Sequence, residues 1–91
     1  MRYKINVTKT DIKKGWCADA TRCAVARALS RDLKGMASDI SVLGETFSYT
    51  DTAGYWVSCY LPKKVNQFII KFDDLYPIRE TFKPFSFTII L

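Results

Sequence analysis

Apolar and polar residues alternate along Tyr3-Lys4-Ile5-Asn6-Val7, the period of two that a half-buried strand requires. Tyr3, Ile5 and Val7 are expected to face inward, and Arg2, Lys4 and Asn6 outward. Thr10 and Asp11 suit the N-cap of a short turn that Gly15 stops. Residues 19 to 34 are rich in Ala, Leu and Arg, all strong helix formers. Asp19 is placed to cap that helix and Gly35 to follow its end. On a helical wheel Val25, Leu29 and Leu33 share one side, while Arg27, Arg31 and Lys34 share the other. The helix is therefore amphipathic, with a basic outer face.

Two strands are predicted next, residues 40–49 with an interruption near Gly44, and residues 55–61. Between them Thr50-Asp51-Thr52-Ala53-Gly54 reads as a hairpin loop. Pro62 fits the first turn of a second helix. Its apolar residues Val65, Phe68, Ile69, Phe72 and Leu75 follow i, i+3, i+4, i+7, i+10, and Tyr76-Pro77 ends it. This is the cleanest helical period in the chain. A last strand over residues 85–91 places Phe85, Phe87, Ile89 and Leu91 on one side.

The order strand, helix, strand, strand, helix, strand predicts one α+β domain over residues 1–91. Two split β-α-β units give a ferredoxin-like two-layer sandwich, with two helices on one face of a four-stranded, mainly antiparallel sheet. Other strand orders within an α+β layer stay open. The expected core is Ile5, Val7, Val25, Leu29, Leu33, Val57, Val65, Phe68, Ile69, Phe72, Phe87 and Ile89.

Composition narrows the chemistry. Hydrophobic residues at 48% and charged residues at 25% describe an ordinary globular chain. No apolar run reaches the roughly 18–20 residues of a membrane span, and no signal-peptide core is visible, so neither a membrane nor an export route is expected. Three cysteines, Cys17, Cys23 and Cys59, cannot all pair, which points to reduced thiols in the cytoplasm. Histidine is absent, and with it the commonest general base and metal ligand. Cys17, ahead of a helix and near Arg22, is the best nucleophile the chain offers, and an incidental loop thiol is the plainer reading. Asp73 and Asp74 are adjacent and would diverge on a helix. Cys17 and Cys23 lack the spacing and the partners of a zinc site. No enzyme, metal or cofactor is expected.

Binding is better supported. If Val57 and Cys59 face the helices, Trp56, Ser58 and Tyr60 face outward, with Arg2 and Lys4 on a neighbouring strand. Rings beside cations suit a protein partner, a second copy of the chain included, or single-stranded RNA or DNA. The segment AGYWVSCY does not fit the RNA-recognition consensus. Arg22, Arg27, Arg31 and Lys34 form a basic stripe, with Lys13 and Lys14 nearby, and the chain carries a net charge of +5. A solvated helix face accounts for such a stripe; contact with an acidic partner or a phosphate backbone is the sharper alternative. The candidate binding residues are Trp56, Tyr60, Arg2, Lys4, Arg27 and Arg31.

The opening Lys4-Ile5-Asn6-Val7-Thr8, Cys17 with Cys23-Ala24-Val25-Ala26-Arg27-Ala28-Leu29, Leu61-Pro62 leading into Val65, Phe68-Ile69 and Phe72-Asp73, and the closing Pro84-Phe85-Ser86-Phe87 together resemble a group of small bacteriophage and prophage proteins. The chain departs from that pattern at Ala24, where a proline is expected after the second cysteine. The resemblance implies a viral or mobile-element origin and a role in binding a host or phage protein. It implies no catalytic activity. Mimicry of DNA is not expected of a chain with a charge of +5.

Overall fold

A computed structural model describes residues 2–16, 19–75 and 82–91. Cys17 and the predicted stop at Tyr76-Pro77 lie outside those residues. The elements in chain order are β1 (Arg2–Val7), α1 (Lys9–Lys14), α2 (Ala24–Asp32), β2 (Ala37–Leu43), β3 (Thr46–Asp51), β4 (Trp56–Tyr60), α3 (Lys63–Leu75) and β5 (Phe85–Ile90). The fold is α+β with antiparallel strands.

The predicted four-stranded sheet does not form. β1 pairs with β5 in a two-stranded ladder, and β2, β3 and β4 make a separate three-stranded meander. The cause lies at Gly44, which does not merely interrupt one strand. Its φ of +62° is left-handed backbone that suits glycine, and it turns the chain so that residues 40–49 fall on two strands that pair with each other. Leu43 then faces Thr46, and β4 finds its partner locally in β3. Between Ser38 and Ser41 the ladder carries a register shift. Asp39 sits there at φ +52°, a conformation aspartate tolerates better than most residues. Beyond it Ile40 and Val42 both turn inward.

The first helices also differ from expectation. Thr8, not Thr10 or Asp11, caps α1: its hydroxyl accepts from the Asp11 N–H at 3.2 Å, and the Asp11 carboxylate accepts from the Thr8 N–H at 2.9 Å. The second helix begins at Ala24 rather than near residue 19, with Cys23 as N-cap. Asp19 instead closes the preceding turn, its carboxylate accepting from the backbone N–H groups of Thr21 and Arg22 at 3.0 and 3.1 Å. α3 matches its predicted bounds.

Nine of the expected core residues are buried: Ile5, Val7, Val25, Leu29, Leu33, Val65, Phe72, Phe87 and Ile89. Val57, Phe68 and Ile69 are only half-buried. Phe68 nevertheless anchors α3, its ring lying 5.6 Å from Phe72, 5.4 Å from Phe82 and 4.7 Å from Phe85. Phe47, the largest fully buried side chain, is absent from the expected core and comes from β3, the second of the two strands into which residues 40–49 divide. α2 packs against α1, β1 and β2, so it touches a strand of each sheet. Its small residues Ala24, Ala26 and Ala28 are buried along with Val25 and Leu29, which lets neighbours approach on several sides.

The closest approach is at Gly15, just after α1. A Cβ there would lie 2.6 Å from the Ala24 backbone nitrogen and 2.7 Å from the Asp11 carbonyl oxygen. Both neighbours are main-chain atoms and cannot swing aside. Gly15→Ala should therefore lower the unfolding free energy by about 1–3 kcal/mol, read from the urea midpoint. Lys14→Ala, one residue away and exposed, should stay within about 0.5 kcal/mol.

Candidate functional site

The meander turns a nearly uncharged face outward, with Trp56, Ser58 and Tyr60 exposed along its edge and Ser48 at its centre buried. Its ladder aligns Leu43, Thr46 and Tyr60 in one row, Ser41, Ser48 and Ser58 in the next, and Thr50 with Trp56 in a third. Side chains alternate across a strand, so Val42, Phe47, Tyr49, Val57 and Cys59 take the opposite, inward face. The expected register of β4 thus holds: Trp56 is 71% exposed and Tyr60 81%, while Val57 and Cys59 are half-buried. Tyr55 departs from expectation. It belongs to the hairpin loop rather than the strand, its N–H donating to the Asp51 carboxylate at 2.9 Å, and its ring is exposed. Leu43, 64% exposed, adds an aliphatic side chain at the Tyr60 end. β4 pairs with β3 alone among the described strands, so it forms an edge of the sheet.

Arg2 and Lys4 are exposed on β1, but β1 is not a neighbour of β4. They stand opposite Ile90 and Thr88 of β5. The sequence reading set these cations beside Trp56 and Tyr60 through a four-stranded sheet. The observed pairing puts them in a different sheet.

Arg27 and Arg31 do not simply form a solvated stripe. Four residues apart on α2, they converge on Asp11, which is only 2% exposed. Arg31 Nη1 donates to both Asp11 carboxylate oxygens at 2.9 and 2.8 Å. Its Nε donates to Asp32 at 3.1 Å and its Nη2 to the Asn6 carbonyl. Asp32 in turn accepts the Asn6 N–H at 2.7 Å. The hydrogen bonds to Asp32 and then to Asp11, with the charges of both carboxylates, hold the Arg31 guanidinium firmly protonated. Arg27 Nε lies 3.6 Å from Asp11, a charge contact without a hydrogen bond. Arg31 is therefore part of the internal scaffold. The sequence offers Asp11 with Thr10 as an N-cap and gives no sign of its burial or its pairing with Arg31, although its spacing from Thr8 marks a capping pair.

Cys23 is buried, and its Sγ accepts the Ala26 N–H at 3.4 Å as the cap of α2. Burial raises the thiol above its ordinary value of 9.0. Cys59 is half-buried and unpaired with another cysteine. Among the described residues no three His, Cys, Asp or Glu gather as a metal site, and no helix is long and apolar enough to cross a membrane. Comparison of the chain with protein-family models, curated proteins and solved structures gives no match.

Two tests follow from this geometry. Asp11→Ala leaves two guanidinium groups without their shared carboxylate and removes the Asp11 half of the α1 capping box, and should cost about 3–5 kcal/mol in denaturant melts. A double-mutant cycle with Arg31→Ala should return a coupling well above the roughly 1 kcal/mol ceiling of exposed pairs. The second concerns pH. Cys23 keeps its proton in the folded chain above 9.0, whereas the unfolded thiol releases it near that value, so its contribution is full below and lost as pH rises. Tyr49, also raised by burial, acts in the same direction. The fall in urea midpoint between about pH 8 and pH 10 should therefore be smaller in Cys23→Ser than in the native chain.

Proposed function

We propose that this chain is a small non-enzymatic binding module that engages a protein partner through the outer face of β4. The observation that carries the reading is the pair of rings Trp56 and Tyr60, 71% and 81% exposed on an edge strand, beside exposed Leu43. Large exposed rings with serine and threonine between them match the composition of protein interfaces, where aromatics are enriched and charge is depleted at the centre. An edge strand adds free backbone N–H and C=O groups that an incoming strand can pair with.

Single-stranded nucleic acid is the rival occupant, and it needs cations beside the rings. No Lys or Arg occupies the outward ladder positions of β2, β3 or β4, and Arg2 and Lys4 belong to the other ladder. That distribution favours protein over phosphate at this face. Together with the resemblance to phage proteins, it suggests a host protein as the partner and the host cytoplasm as the setting. A second copy of the chain would use the same face.

Replacing Trp56 with alanine should weaken the complex by at least about 2 kcal/mol, since a ring at an interface centre contributes through desolvated area. Tyr60→Ala should act in the same direction. Affinity capture from host lysate with native and variant baits, combined with light scattering for the homodimer, checks this. A specific protein held by the native bait and released by Trp56→Ala supports the reading. Equal retention by both baits overturns it, as does single-stranded RNA binding that Trp56→Ala abolishes.

A further inference from the structure

Between α1 and α2 lies an open cleft of about 480 Å³ that the proposed interface does not use. Lys14, Arg22, Arg27 and Arg31 line it, with Asp11 and the ring of Trp16. Four cations thus face one carboxylate, and that carboxylate is already bound by Arg31 and contacted by Arg27. Asp32, the other partner of Arg31, is outside the lining. Asp19 is also outside it and accepts backbone N–H groups of the adjoining turn.

The cations divide into two kinds. Arg31 directs its donors to Asp11, Asp32 and Asn6 and serves as scaffold. Lys14 and Arg22 make no ion pair among the described residues, and Arg27 makes none beyond its Asp11 contact. Arg22 also feels the Asp19 carboxylate, and these three charges surround one concavity whose lining holds Asp11 as its sole carboxylate among the described residues. Asp11, itself part of the lining, holds Arg27 by charge at 3.6 Å without a hydrogen bond. Beside them Trp16 is 59% exposed, with the Arg22 guanidinium 5.2 Å from its ring centroid. An arginine stacked on an indole gives a planar, cationic wall suited to a flat aromatic ring. The cleft volume falls in the range of small-ligand sites, roughly 300–1,000 Å³.

We propose that this cleft binds a nucleotide, with Lys14, Arg22 and Arg27 receiving its phosphate and Trp16 its base. A free nucleotide and one unit of a single strand present the same chemistry. This site is independent of the β4 face: its ligand is anionic, and its residues are Lys14 of α1, Arg27 of α2, and Trp16 and Arg22.

The experiment uses the full chain carrying Trp56→Phe, which leaves Trp16 as the sole tryptophan reporter. Its emission is followed during titration with thymidine monophosphate, thymidine, inorganic phosphate and a short oligothymidylate. Thymidine monophosphate should change Trp16 emission saturably, with thymidine and phosphate alone each binding about tenfold more weakly or worse. Arg27→Gln would disturb Asp11, so the exposed pair Lys14→Gln and Arg22→Gln is the deciding variant. It should lose about tenfold in affinity while keeping the native urea midpoint. Oligothymidylate binding more tightly than the mononucleotide, with a log–log salt slope of about −0.7 per phosphate, identifies a strand as the source. Equal affinities identify a free nucleotide; either result supports the site. The proposal is overturned if neither nucleotide ligand alters Trp16 emission, if phosphate matches thymidine monophosphate, or if the double variant binds like its parent.

Discussion

A single buried carboxylate, that of Asp11, ties together the three elements on which the first third of the fold depends. It completes the capping box of α1 by accepting the Thr8 N–H, and it receives Arg31 of α2 on both oxygens. Arg31 passes the connection to the Asn6 carbonyl of β1. A charge removed from water costs several kcal/mol unless it is paired and hydrogen-bonded. Asp11 meets that condition only when α2 is docked on α1, and the Arg31 side chain so held also engages β1. The carboxylate therefore acts less as a source of stability than as a requirement that α1 and α2 dock in one arrangement. Gly15 enforces the same arrangement sterically, because its missing Cβ leaves room for the start of α2.

This arrangement also decides which charges remain available. The helix stripe reads as uniform along the sequence, yet its members have different surroundings once α1 is docked. Arg31 pairs with two carboxylates, Arg27 touches one, and Arg22 lies over an indole. A residue's place on a helical wheel says which way it points. What it meets there depends on a segment about twenty residues earlier in the chain.

Period and parity were legible wherever one face of an element meets the core. α3 follows from the spacing of Val65, Phe68, Ile69 and Phe72, and the outward setting of Trp56 and Tyr60 from strict alternation along β4. Pairing was not legible, since the partner of β1 depends on residues at the far end of the chain and no local pattern encodes it. Gly44 could mark either a bulge within one strand or a turn between two, and only the ladder distinguishes them. Tyr55 shows the limit of parity: one residue before β4 the chain is held by Asp51, and alternation no longer applies. Asp11 was hidden for a different reason. A lone acid in a polar segment looks exposed until its two arginines, both distant in sequence, are brought to it.

The two ladders impose very different demands on the folding chain. β2, β3 and β4 are consecutive and joined by short turns, so their contacts close small loops at little entropic cost. β1 and β5 pair Arg2 with Ile90, and that ladder must wait until nearly the whole intervening chain is compact. The meander is positioned to nucleate early, and the terminal ladder to zip last. The outer face of β4 would then take shape ahead of the Asp11 junction and the ladder that completes the molecule. Destabilising the terminal ladder would chiefly hasten unfolding, whereas weakening the turn at Gly44 would slow folding itself.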